Sequence, residues 1–230
     1  MGVQAWWVIQ RRLLAHARRC LPYLRQVDTS SQALIASLHN FGQLYCDQRQ
    51  AGNAEDPFLR ALKEEESMFG VGQIKTLSTM NSLGCLYHDQ GEFKKAEAMY
   101  LQALRGFKEA YGVEDSIVAH NLGNLYKDQG TDCKVAKIMF LRALDGFGEA
   151  YGGNHHATIT TAHWLGYVYR QEDDFKNAIG MYLRALKGYE ATRGKDHKDT
   201  IHVVDQLGCV YDRQGDIETA GEMFLRALDG

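Results

Sequence analysis

Nine histidines and five cysteines are the residues of this chain best suited to chemistry. His155 and His156 are adjacent, after Gly152-Gly153. Neighbouring side chains diverge on most backbones, so a solvated loop explains them better than a metal centre. His39, His120 and His163 each stand three residues before a recurring glycine. On stacked helices such equivalent positions lie roughly 8–10 Å apart. That is too far for one zinc ion, whose imidazole ligands sit at about 2 Å. His88-Asp89 has Lys127-Asp128 as its counterpart, so an acid–base pair there is lost in the next copy. No Ser-His-Asp or Cys-His set is defensible, and no C-x-x-C occurs. These residues predict no enzyme, no metal and no cofactor. An odd number of cysteines within helices predicts free thiols in a reducing, cytoplasmic setting.

What positions these residues is a recurring phrase. Leu83-Gly84-Cys85-Leu86-Tyr87-His88-Asp89-Gln90-Gly91 returns as Leu122-Gly123-Asn124-Leu125-Tyr126-Lys127-Asp128-Gln129-Gly130. Looser copies surround Gly42, Gly166 and Gly208, and the five glycines are separated by 42, 39, 43 and 42 residues. Met80, Leu83, Gly84 and Tyr87 share one helical face. After Gly91 a second helix follows through Phe93, Ala96, Tyr100, Ala103, Leu104 and Phe107. Its centre recurs five times, as Phe58-Leu59-Arg60-Ala61-Leu62 and then from Tyr100, Phe140, Tyr182 and Phe224. Gly112 is placed as a left-handed cap, with Asp115 or Ser116 capping the next helix. Neither helix buries its stripe alone, so the pairs must stack. Gly84 is expected to admit the second helix closely, with Tyr87 and Tyr100 filling the remaining space.

The predicted fold is all-α: a right-handed superhelical solenoid of stacked antiparallel helix pairs. Residues 1–30 form a basic helical segment, and residues 31–230 hold five pairs, the last one truncated. Residues 1–27 carry five arginines and no acid, leaving twenty-one basic residues against all 29 acids, a net of −8. The whole chain carries only −3, which gives no sign of a nucleic-acid or membrane partner. The apolar run from Ala5 to Ile9 is too short to cross a bilayer.

The order Leu-Gly, Tyr, Gly, Ala, aromatic, Ala resembles the tetratricopeptide repeat. The long spacing, with Gly194-Lys195-Asp196-His197 between units, is similar to the kinesin-light-chain type. The resemblance implies a concave groove that binds peptides or other proteins without catalysis. Residues Trp7 to Cys20 are similar to the stretch before such repeats in fungal STAND receptors, which carry a nucleotide-binding domain upstream. No G-x-x-x-x-G-K-[ST] is present here. The alternative is therefore a sensor or oligomerisation arm derived from such a receptor without its nucleotide-binding domain.

One polar register of the first helices is expected to line the groove. It comprises His39 and Gln43; Asn81, Cys85 and His88; His120, Asn124 and Lys127; His163, Tyr167 and Arg170; Asp205 and Asp212. Similar tetratricopeptide grooves clamp peptide backbones with asparagines, and Asn81, Asn121 and Asn124 are the nearest matches. Trp164 and Tyr167 break the repeat beside the packing stripe, either as binding anchors or as packing against a neighbouring helix. Lys127 with Arg170 is expected to make a cationic patch, and Asp205 with Asp212 a negative end. The last copy stops at Leu228-Asp229-Gly230 without a capping helix. Met223, Phe224 and Leu228 are therefore expected on an exposed apolar face, covered by more chain or by self-association.

Overall fold

A computed structural model describes Ala15, His16, Arg19, Cys20, residues 32–130 and residues 133–229. The basic segment at residues 1–30 lies outside the described residues, apart from those first four positions. Among the described residues there are ten complete α-helices and no strand. Contacts divide the chain into two compact units, residues 1–113 and 114–230.

The first unit holds α1 (Gln32–Asp47), α2 (Ala51–Phe69), α3 (Ile74–Asp89) and α4 (Phe93–Tyr111). Helix α1 pairs with α2 and α3 with α4, while α2 packs on α3. The second unit holds α5 (Ser116–Gln129), α6 (Cys133–Tyr151), α7 (His156–Gln171), α8 (Phe175–Arg193), α9 (Lys198–Gln214) and α10 (Ile217–Leu228). There α5 pairs with α6, α7 with α8 and α9 with α10, and the pairs stack through α6 on α7 and α8 on α9. Each unit thus repeats the predicted antiparallel hairpin.

Short polar turns stop the helices where the sequence asks for it. Gly112, Gly130 and Gly215 adopt left-handed backbone at helix ends, a conformation that costs other residues a Cβ clash. Asp115, not Ser116, caps α5, accepting from the Val118 amide at 2.9 Å. Asp174 and Asp216 cap α8 and α10 in the same way.

The glycine of the recurring phrase has one job. A β-carbon on Gly42, Gly84, Gly123, Gly166 or Gly208 would come within 2.5–2.9 Å of the ring of Phe58, Tyr100, Phe140, Tyr182 or Phe224 respectively. Each ring therefore lies flat on the backbone of its partner helix. Phe58, Tyr100, Phe140 and Tyr182 are completely buried, and each such burial contributes roughly 1.5–3 kcal/mol. Tyr87 is not part of this contact; its hydroxyl donates to Glu55 Oε1 at 2.9 Å.

Successive pairs are joined by threonines. Thr76, Thr158 and Thr200 are buried, and each donates its hydroxyl to the carbonyl of the glycine ending the preceding second helix: Gly70 at 3.0 Å, Gly152 at 2.9 Å and Gly194 at 2.8 Å. These bonds satisfy carbonyls that a helix end leaves orphaned. At the far end, Phe224 is half-buried on Gly208 and Met223 is half-buried too. Leu228 is exposed as expected, and Ile217 and Leu225 of α10 are exposed with it.

Candidate peptide-binding surface

The polar register of the first helices is best followed one unit at a time. In the first unit, His39 is turned inward. Its Nδ1 lies 2.9 Å from the hydroxyl of buried Thr79 on α3, and its ring meets Phe58 edge-on at 5.4 Å. Burial lowers its pKa. Gln43 stays exposed and donates to Asp47 Oδ1 at 3.1 Å. Asn81 is half-buried, and His88 stands edge-on to Phe93 at 5.9 Å. Cys85 is half-buried and accepts from the Tyr100 hydroxyl, while burial pushes its thiol pKa up. Cys46 is raised to about 11, by burial first and then by Asp89, Asp47 and Cys85. Neither thiol is activated as a nucleophile, since nucleophilic attack needs the thiolate.

In the second unit His120 repeats the His39 arrangement, with Nδ1 2.8 Å from Thr161 Oγ1. The Thr161 hydroxyl spends its one proton on the Ala157 carbonyl at 2.7 Å. It must therefore accept from His120, which fixes the neutral tautomer protonated at Nδ1. His163 has no such partner, because Val203 stands where the threonine would be. It stacks on Trp164 at 5.0 Å and 18° and approaches His202 at 5.3 Å. His120 and His163 are both lowered to about 4, first by burial and then by neighbouring cations and histidines. The expectation that His163 lines a groove is corrected: its ring is buried beneath Trp164 because Tyr182 and Tyr189 pack it from the other side.

Trp164 and Tyr167 are both half-buried and pack against the core of the unit. Their rings meet edge-on at 6.2 Å. Lys127 reaches across from α5, with its ammonium 4.2 Å from the Trp164 ring centre and 6.0 Å from that of Tyr167. It also pairs with Asp128. Arg170 covers the other side of Tyr167 at 5.3 Å. The expected cationic patch is thus interleaved with rings, and Asp128 neutralises part of it. Arg170 Nε is buried without a hydrogen-bond partner. Asn121 and Asn124 are half-buried on the same helix as Lys127. On α9, Asp205 is half-buried and Asp212 exposed. Both raise the pKa of Cys209 behind burial, while Arg170 opposes them, so the acidic end adjoins the cations.

His155 and His156 do not form a centre. His155 caps α7, accepting from the Ala157 amide, and His156 contacts Arg193. Among the described residues no group of three potential ligands could hold a metal, and no helix is long and apolar enough to cross a membrane.

The profile of the tetratricopeptide repeat matches residues 33–109, 114–191 and 158–230, most of the chain. This chain belongs to the tetratricopeptide repeat family. The family is one of protein-interaction scaffolds rather than of catalysts. Three solved structures share the fold. BtubC (BKLC) from P. vanneervenii is 22% identical with a TM-score of 0.78, over 96% of this chain and 90% of that one. A Podosopora anserina protein, described as a kinesin light chain with nearly identical repeats, is 14% identical with a TM-score of 0.71, over 85% and 93%. YrrB, a protein with an unusual peptide-binding site, is 17% identical with a TM-score of 0.62, over 88% and 87%. No protein with a curated description matches the chain. The tetratricopeptide framework explains why the first helices carry the variable polar register and the glycine stripe at once.

Two functional positions were not singled out from sequence. Thr79 and Thr161 recur five residues before the glycine and anchor the histidines. Glu65 stands where Phe107, Phe147 and Tyr189 stand in later copies, yet it is only 3% exposed. A carboxylate breaking an aromatic column was the signal.

Proposed function

We propose that this tetratricopeptide protein is a non-catalytic scaffold that holds an extended peptide or protein segment against its first helices. The observation that carries the reading is the array of Lys127, Trp164, Tyr167 and Arg170. Two cations from successive first helices lie over two half-buried rings, and the buried Arg170 Nε lacks a partner. A carboxylate of the partner can pair with the charge of Lys127 and Arg170, while its apolar neighbours cover Trp164 and Tyr167. Aromatic residues beside arginine are the composition of binding hot spots. Asn121 and Asn124 supply amides for the partner's backbone there, and Asn81 is the matching amide of the first unit. Asp205 and Asp212 set polarity, favouring an acidic residue near Arg170 and a basic one beyond it. The five free thiols fit an adaptor in a reducing, cytoplasmic setting.

A peptide library selected on the full chain tests this, with fluorescence anisotropy as the readout. Acidic–aromatic peptides are expected to bind at micromolar concentrations. Lys127→Gln with Arg170→Gln should weaken them at least tenfold with unchanged circular dichroism. Selection of no peptide, or binding indifferent to both substitutions, would sink the reading.

A further inference from the structure

The first unit contains a built pocket that the reading above does not use. Phe107, Phe147 and Tyr189 fill one repeated position on the second helices, and all three are buried. Glu65 takes that position in α2 and is buried as deeply. Beside it lies a cavity of about 220 Å³ lined by His39, Asn40, Glu65, Ile74, Lys75 and Ser78, among others. The corresponding hollow of the second unit is lined by Phe147, Tyr151 and His120 and has no carboxylate.

The floor of the pocket is rigid and half-satisfied. One carboxylate oxygen accepts from the Thr79 hydroxyl. With its proton so used, Thr79 accepts in turn from His39 Nδ1. The other oxygen, Oε2, is buried with no partner. Burial raises the Glu65 pKa, and the Thr79 hydrogen bond and the charge of Lys75, which also lines the pocket, oppose this; among the described residues no ion pair joins the two, and the exposed lysine lies 5.8 Å from the Phe69 ring centre. An apolar occupant would leave Oε2 unsolvated, and an anion would be repelled. A space of this size exceeds the roughly 30 Å³ of a water and falls below the ~300 Å³ of sites for whole small ligands. It suits one side chain.

We infer that the Glu65 pocket accepts a cationic side chain, arginine or lysine, of the bound segment, with the Glu65 carboxylate as its counter-charge. This rests on the scaffold reading and gives the first unit a charge preference opposite to that of Arg170 in the second.

The test is NMR titration of the full chain with N-acetyl-arginine-N-methylamide and its lysine, citrulline and glutamate counterparts. Saturable shifts confined to residues 36–40 and 74–79 are expected for arginine and lysine, with citrulline at least fivefold weaker and glutamate silent. Glu65→Gln should weaken arginine tenfold. Glu65→Phe, which restores the aromatic of the other copies and so keeps the fold, should abolish the shifts. No shifts with arginine, equal shifts with citrulline, or arginine binding that survives Glu65→Phe would each overturn the inference. Acidic-peptide binding at Lys127 and Arg170, measured in the same Glu65→Phe protein, reports separately on the scaffold reading.

Discussion

The ring of Tyr100 lies directly on the backbone of Gly84, so close that a β-carbon there would come 2.5 Å from the ring. Tyr100 is buried and cannot swing aside. Gly84→Ala gains about 1 kcal/mol of helix propensity and meets an overpacking penalty of ~1–3 kcal/mol. The expected outcome is a net loss of up to about 2 kcal/mol, read as a lower urea midpoint. Gly180 is the control: it is exposed in α8 with open space around its β-position. Gly180→Ala should raise the midpoint by about 0.5–1 kcal/mol.

Thr161 joins α7 to His120 while donating to its own helix. Thr161→Val keeps the volume and leaves the His120 Nδ1–H buried without an acceptor. A loss of about 1–3 kcal/mol is expected, measured by denaturant titration. Thr160→Val, at a half-buried neighbour, should change much less.

Stability should fall with acid before the carboxylates titrate. His120 and His163 have folded pKa values lowered to about 4, against roughly 6.5 when unfolded. Between those values the unfolded chain binds protons that the folded one refuses. Stability is therefore full above pH 6.5 and declines as pH drops toward 4, by about 1.4 kcal/mol per pH unit for each histidine. Urea midpoints at pH 7.5, 6 and 5 check this, and His120→Gln should remove part of the slope. Equal midpoints across that range would contradict the buried neutral rings.

Asp115 accepts from the Val118 amide at the start of α5. Asp115→Ala should cost about 1 kcal/mol and Asp115→Asn much less. Amide hydrogen exchange at Val118 and Ala119 provides a local readout.

The fold was legible because it is written five times. A phrase repeated at near-constant spacing fixes a helix pair, and the glycine marks where the pair closes. The partner of that glycine was harder to read. Tyr87 and Tyr100 look equivalent by spacing, yet only Tyr100 lies on the backbone, while Tyr87 reaches Glu55. Repetition alone does not report burial either. Leu59, Leu101, Leu141, Leu183 and Leu225 are the most regular residues of the second helices, and all are exposed. The candidate surface was half legible. Lys127, Trp164, Tyr167 and Arg170 do come together, but His163 turns inward, because the choice between core and groove depends on one neighbouring helix. The Glu65 pocket was hidden for a different reason: it is a departure from the pattern, and attention to the pattern passes over it.

Two kinds of seam run through the second unit. Rings seated on glycines close each hairpin, and threonine hydroxyls on carbonyls add a polar bond to the apolar packing that joins one hairpin to the next. Parting two hairpins would bare apolar surface on both, so these seams are expected to open together rather than in turn.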